Sequence, residues 1–507
     1  MSRAQIHAIY GFMAIKICVV NLGTPAQTLM LTNLFAAIKS KEKDSYLTLI
    51  IDKKNRNLTE IISEVDEFIL FDRDQKEERH YEYVKKQLKG LIASNVDLVI
   101  NTSSDKLSSA ISSIIESSAF EGVVFDEYGK KWIENPWFAY LDNLSTNNSL
   151  NLFHYADIIS IACNYFRSIK QADAFSYDSN TRVIVDVDKS EDLLESLPKN
   201  CFTLSKTNKN TAETMELIKN CSLVVSSDAY ISALASYFGK KVVFVCEDDN
   251  CFTYGPYGDS NYILQVKKRT ENVKDDLLQF LNFLLFRGDK TVLSFTTIDV
   301  FVSRHDIDGF LEFIPFIKKD IEQKDFYKWV YRSVLKGTIA RSIKAGDPQR
   351  FLSFGEKYID RVVDIDREVE YLVSKVFSRY NTESLKRLVR DLPEFKGQIS
   401  ELKAKAFDGQ KKAREFLNTV AMNSENMDEI KKKKLEITEI NSSIHRMIEN
   451  NDHKFGPIMN NFKQEKGDEH ITNLFPMAKG VMTKYEELFS KASFLEEIIE
   501  GLWKRIN

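Results

Sequence analysis

Over the first three hundred residues, short runs of valine, isoleucine and leucine alternate with longer stretches whose apolar positions recur every three or four residues. This alternation predicts crossover units on a parallel sheet, because neighbouring parallel strands need a helix to return the chain. Strands are expected from Ile15 to Asn21, Tyr46 to Ile51, Glu67 to Phe71, Val96 to Asn101 and Gly122 to Phe125, with a helix from about Gln27 to Lys39. The run Asn95-Val96-Asp97-Leu98-Val99-Ile100-Asn101 is nearly continuous in apolar character, as a strand covered on both faces requires. After an Asn- and Ser-rich loop from Asn143 to Asn151, the pattern from Leu152 to Phe166 reads as a helix bridging two lobes. A second, smaller set of strands follows at Arg182 to Val187, Cys201 to Leu204, Ser222 to Ser226 and Lys241 to Cys246.

From about Phe326 the strand pattern stops and charged segments of helical period continue to Asn507. Met427, Ile430, Ile437, Ile444 and Ile448 share one helix face, which leaves Lys431 to Lys434 facing outward. Bracketed by Asp428, Glu429, Glu436 and Glu439, that lysine run reads as a solvated face rather than a nucleic-acid or membrane patch. From Leu474 to Ile506 the apolar steps are threes and fours, through Val481, Tyr485, Leu488, Ala492, Leu495, Ile499 and Leu502. Such helices form a bundle of their own or a surface for a protein partner or a second copy of the chain. The expected division is therefore an α/β lobe over 13–150, a second over 151–300 and an all-α domain over 326–507.

Composition narrows the function classes. A hydrophobic fraction of 43% and a charged fraction of 28% over 507 residues are those of a folded globular chain. A net charge of −4 gives no global positive field, so nucleic acid is not an expected partner. The six cysteines are scattered, mostly within apolar runs, which suits reduced, buried thiols and a cytoplasmic setting. The histidines show no metal-ligand spacing, and no P-loop, Gly-x-Ser-x-Gly or dinucleotide fingerprint occurs, so neither metal nor cofactor is expected.

The most informative window runs from Thr203 to Gly258. A strand, Cys221 to Ser226, leads through Ser227 to Asp228; a small-residue helix around Ala233 to Gly239 follows, then the strand Val242 to Cys246 and the loop Tyr254-Gly255-Pro256-Tyr257-Gly258. In an open parallel sheet the crevice lies beyond the C-terminal strand ends, so Asp228 is placed at a helix N-terminus whose free N–H groups suit a diphosphate. The order, spacing and Gly-Pro-Tyr-Gly loop resemble the heptosyltransferase family, glycosyltransferase family 9. In the first half, the strand into Leu22-Gly23-Thr24-Pro25-Ala26-Gln27, the strands Val65 to Asp72 and Val96 to Asn101, and His154-Tyr155-Ala156-Asp157 are similar to that family as well.

The resemblance implies two Rossmann-like lobes of the GT-B type and transfer of a sugar from a nucleotide diphosphate sugar, such as ADP-heptose, to a glycan or protein acceptor by inverting displacement. It implies donor contacts from Ser227, Asp228, Thr207, Gly255, Pro256 and Gly258, and an acceptor side at Thr24 and Gln27. Where the family has an acidic base in the first loop, this chain has Gln27, and no Asp or Glu occurs between Asn21 and Lys41. An amide binds a hydroxyl but does not take its proton. Beyond Asp228 the family's hydroxyl residue, glycine and histidine are replaced by Ala229, Tyr230 and Ala233, and only Lys170 and Ser176 stand as remnants of a phosphate loop. Two classes follow: a transferase whose base has moved, or a scaffold that kept the lobes, lost turnover and serves binding or assembly.

Overall fold

The computed structural model describes residues 14–73, 86, 88–91, 95–125, 131–133, 135–144, 152–163, 165, 181–187, 193–204, 211–248, 250–267, 273–286, 288, 290, 293–346, 360, 362–422, 427–449 and 474–506. The chain divides into two compact units, Met1–Ile317 and Lys318–Asn507.

The first unit holds two sheets. In lobe 1, the strands β1 (Lys16–Asn21), β2 (Tyr46–Asp52), β3 (Glu67–Phe71), β4 (Val96–Asn101) and β5 (Ser117–Glu121) are ordered β3-β2-β1-β4-β5 and all parallel. This is the doubly wound order, with its direction reversing between β1 and β4. The helices are α1 (Pro25–Met30), α2 (Thr32–Lys41), α3 (Lys106–Ile114), α4 (Pro136–Leu144) and α5 (Tyr155–Ala162), with a 3-10 helix at Lys53–Glu60. The expected helix from Gln27 to Lys39 is thus two helices meeting at Leu31, and the strand expected from Gly122 to Phe125 is a turn followed by β6 (Val124–Phe125), paired antiparallel with β7 (Lys131–Trp132). Gly122 has φ +123°, and a Cβ there would lie 2.3 Å from the Asn101 carbonyl oxygen, so only glycine closes that turn.

Every residue of α5 is buried, in keeping with a sequence that is apolar almost all round. Lobe 2 comprises β8 (Val183–Asp186), β9 (Cys201–Phe202), β10 (Leu223–Ser226), β11 (Lys241–Cys246), β12 (Tyr262–Val266), β13 (Ile298–His305) and β14 (Leu311–Pro315). They are ordered β14-β13-β12-β11-β10-β8-β9; the last two to be added, β13 and β14, run antiparallel and carry the lobe past residue 300. Its helices are α6 (Thr211–Lys219), α7 (Ala229–Tyr237), α8 (Cys251–Tyr254) and α9 (Val273–Phe286). One core face is Val183, Val185, Leu223, Val225, Val243 and Leu264 against Leu277, Phe280 and Leu281 of α9. Burying each such side chain contributes roughly 1.5–3 kcal/mol. The two Rossmann-like lobes and the separate helical region are the architecture expected from the sequence.

The second unit is all helical: α10 (Gln323–Gly346), α11 (Ile365–Tyr371), α12 (Thr382–Arg390), α13 (Leu392–Met422), α14 (Met427–Glu449) and α15 (Leu474–Ile506). Helices α13 and α15 run antiparallel, as the pairs Lys396–Glu500, Lys403–Glu496 and Gln410–Glu486 show. Tyr485, Leu488, Ala492, Leu495, Ile499 and Leu502 are buried, as are Ile430, Ile437, Ile444 and Ile448, so both apolar faces pack as their spacing predicts. Close approach depends on glycine: a Cβ on Gly409 would lie 2.3 Å from the Tyr485 ring, and one on Gly337 2.1 Å from that of Phe494. No helix among the described residues is long and apolar enough to cross a membrane.

Candidate functional site

The mouth of lobe 1 is built at the C-terminal ends of β1 and β4, the point where the winding reverses and where open α/β sheets form a crevice. Strand β1 ends on Asn21, which is fully buried. Its amide donates to Thr102 Oγ1 at 2.8 Å and to the Tyr155 hydroxyl at 3.1 Å, and its carbonyl oxygen accepts from Thr28 Oγ1 at 2.9 Å. Tyr155 in turn donates to the Thr102 carbonyl at 2.9 Å. A buried polar residue is retained only when its bonds are made, and these bonds tie β1, α1, the β4 exit and α5 together.

Beyond Gly23, Thr24 caps α1 and Pro25 takes its first position. Thr24 Oγ1 accepts from the Gln27 N–H at 3.3 Å while Gln27 Oε1 accepts from the Thr24 N–H at 2.8 Å, a reciprocal capping box. The Gln27 side chain also faces Tyr254, contributed by lobe 2, across one cavity. Burial raises the Tyr254 phenol above its ordinary range, and Gln27 partly offsets this. The two residues expected on the acceptor side therefore sit together, and the residue at the base position works as a cap and as a contact between the lobes.

Gln27 and Tyr254, but not Thr24, line a cavity of about 190 Å³ shared with Leu22, Arg73, Ser103, Ser104, Asp105 and Tyr155. Arg73 spans its rim: Nη1 donates to the Leu22 carbonyl at 2.7 Å, Nη2 lies 3.4 Å from Asp105 Oδ1, and Nε lies 3.9 Å from Asp52 Oδ2. Asp105 Oδ1 also accepts from the N–H groups of Leu107 and Ser108, each at 3.1 Å, capping α3.

In lobe 2 the reversal lies between β8 and β10, so the corresponding mouth is formed by Asp186 and by Ser226 to Asp228. Asp228 does precede a helix, but its own Oδ1 takes the N–H groups of Tyr230 at 2.6 Å and Ile231 at 3.2 Å. Those donors are not left free for a diphosphate, contrary to the expectation from sequence, because Asp is itself a preferred N-cap. Burial, then the neighbouring Asp228 charge, raises the Asp186 carboxyl, whereas its bond from Ser226 lowers it. Tyr230 reaches across to lobe 1, where its hydroxyl accepts from the Asn57 amide at 3.2 Å, and Tyr237 donates to the Ile61 carbonyl at 2.9 Å. Helix α7 is thereby fastened to the 3-10 helix of lobe 1 and the chain following it.

The Gly-Pro-Tyr-Gly loop does not converge as one group on Asp228. Gly255 lies against α5: its carbonyl accepts from His154 Nε2 at 3.0 Å while His154 Nδ1 accepts from the Ala156 N–H at 3.2 Å. Burial lowers the His154 pKa to about 4, so the ring is neutral, and these bonds set its tautomer. Pro256 is buried. Tyr257 donates to Asp157 Oδ1 at 2.7 Å, and Asp157 Oδ2 accepts from the Leu311 N–H at 2.6 Å. Gly258 lies at the opposite end of the strands from Asp228, near the start of β11, where Asn261 Oδ1 accepts from Val242 N–H at 3.0 Å. There it lines a cavity of about 440 Å³ with Met30, Asn33, Ala233, Tyr237 and Asp259. Asp259 is paired with His305 at 2.8 Å; burial opposes ionisation of the carboxyl, but the His305 bonds and charge hold it below its usual range.

Thr207, Lys170 and Ser176 lie outside the described residues. Ser227 and Asp228 are adjacent and exposed at the lobe 2 mouth. Tyr155 and Tyr254 stand in the sequence motifs without a role at a site, and Asn21, Arg73, Thr102 and Asp105 have none in sequence. Asn21 alone carries a local sign, a polar residue closing an apolar strand.

No family model matches the chain. No curated protein matches it. Among solved structures, a glycosyl transferase family 9 protein from Veillonella parvula DSM 2008 is similar at 14% identity and a TM-score of 0.41, over 54% of this chain and 98% of that one. The E. coli heptosyltransferase WaaC with ADP gives 12% identity and a TM-score of 0.40 over 53% of this chain and 100% of that one. A putative UDP-N-acetylglucosamine 2-epimerase from Listeria monocytogenes gives 12% and 0.29 over 54% and 89%. Nothing about ligand or reaction follows from likeness at this level.

Proposed function

We propose that the two-lobed unit is a glycosyltransferase module that moves a sugar, heptose-like, from a nucleotide diphosphate sugar to a glycan or protein hydroxyl by inverting displacement. The observation that carries this reading is the cavity at the reversal point of lobe 1, closed by Gln27 from one lobe and Tyr254 from the other. Crevices at such points are where open α/β sheets seat ligands, and a cavity walled by both lobes suits an acceptor held against a donor. On the donor side, Asp228 keeps Oδ2 uncommitted among the described residues, and a carboxylate oxygen there suits a sugar or ribose hydroxyl better than a phosphate. Ser227 and Thr207 would add contacts.

A second reading, a scaffold without turnover, is favoured by a specific observation: Gln27 and Asp228 are both engaged as helix caps while Tyr230 bridges the lobes. In that case the helical unit would carry the function by binding a partner or a second copy. Incubation with ADP-, UDP- and GDP-sugars, following nucleotide release, separates the two. Release of nucleotide supports the transferase; silence with all donors, together with no heat of binding by calorimetry, leaves the scaffold. An Asp228→Ala variant that binds donor like the parent would remove Asp228 from the site.

A further inference from the structure

We infer that Asp105 takes the proton from the acceptor hydroxyl, the role left empty by Gln27; this rests on the transferase reading above. Three observations place it there. Asp105 is the one carboxylate among the residues lining the 190 Å³ cavity, and so shares that space with Gln27 and Tyr254. Its two oxygens are used unequally: Oδ1 receives the Leu107 and Ser108 N–H groups and faces Arg73, whereas Oδ2 has no hydrogen-bond or ion-pair partner among the described residues. The side chain retains 34% of its exposure, so the carboxylate is within reach of a ligand.

The capping bonds matter as much as the bare oxygen. Two backbone donors and Arg73 hold Oδ1 in one orientation, so the carboxylate is positioned before any acceptor arrives. In the step, the acceptor oxygen forms a bond to the anomeric carbon as the bond from that carbon to the diphosphate oxygen breaks. The electron pair of the broken bond leaves on the nucleoside diphosphate, and the acceptor proton passes to Asp105 Oδ2. No further reactant is needed. Gln27, with its oxygen in the capping box, is left to orient rather than deprotonate.

The test uses the full chain and Asp105→Asn, because asparagine is an equally good N-cap and preserves the start of α3 while removing the base. Nucleotide release from ADP-heptose and from UDP-glucose is followed with glycerol as the acceptor hydroxyl. The expected result is a kcat lower by about 10²–10⁴-fold, the usual worth of a positioned base, with KM for the donor changed less than about threefold. Asp105→Glu should recover part of the rate, which a purely structural cap would not do. Undiminished kcat in Asp105→Asn overturns the inference and leaves the transferase reading standing. No release by the parent chain from either donor overturns the inference together with that reading.

Discussion

The side-chain amide of Asn57 in lobe 1 donates to the hydroxyl of Tyr230 in lobe 2 at 3.2 Å. Tyr230 stands where the resembling family has glycine, so a residue that would crowd a close phosphate is used instead as a strut between the lobes. A double-mutant cycle of Asn57→Ala and Tyr230→Phe, read by urea unfolding, should give a coupling of about 0.5–1.5 kcal/mol. A coupling near zero would mean that the strut does not hold in solution.

The capping box at the start of α1 makes a second prediction. Gln27→Ala should cost about 1 kcal/mol, the usual worth of a cap, whereas Gln27→Glu should cost little, since Glu closes the same box. Unfolding midpoints of the two variants check this. Equal losses would show that the amide matters through Tyr254 rather than through the cap.

His154 couples folding to acid. Its pKa drops from 6.5 to about 4 in the folded chain, so between those values the unfolded chain binds a proton that the folded chain refuses. Stability therefore falls as pH drops through that window, by up to about 3 kcal/mol in total. His305 acts in the opposite sense: burial opposes its charge, but the bond and charge of Asp259 raise its pKa, so its contribution is present at low pH and is lost as pH rises through the folded value. In His154→Asn, which keeps a capping side chain, urea midpoints measured from pH 7 to 4 should lose most of the acid slope. An unchanged slope would place the titrating group elsewhere.

In the helical unit, Gly337→Ala should destabilise by roughly 1–3 kcal/mol even though alanine favours a helix by about 1 kcal/mol, because the added methyl meets the Phe494 ring. Gly397→Ala, whose Cβ would meet nothing within 4 Å, is the control and should stabilise or be neutral. Thermal midpoints of the two variants give the comparison.

Long apolar strands were legible because both faces are covered: β1, β2 and β4 need little context beyond their own side chains. Strand β5 was not, since Ser117, Ser118 and Ala119 are exposed at the sheet edge and leave no apolar run. The reading from Gly122 to Phe125 therefore fell on the turn that follows it. The helix break at Leu31 is also silent, as the four-residue spacing of Met30, Leu34 and Ile38 continues across it. Thr24, Gln27 and Asp228 stand out in sequence by their positions after strands, but the residue types that do chemistry at strand ends are those that cap helices, as all three do here. Only coordinates distinguish the two uses. Arg73, Asp105 and Tyr254 are far apart in sequence and become a site through tertiary folding alone.

The proposed binding of a nucleotide diphosphate sugar between the lobes is decided by a crystal structure grown with ADP-heptose or UDP-glucose. The nucleotide is expected at the β8–β10 mouth beside Ser227 and Asp228, with the sugar directed to the cavity of Gln27, Asp105 and Tyr254. A donor bound elsewhere, or a cleft still spanned by the Asn57–Tyr230 bond with no donor in it at saturating concentration, would contradict the proposed binding.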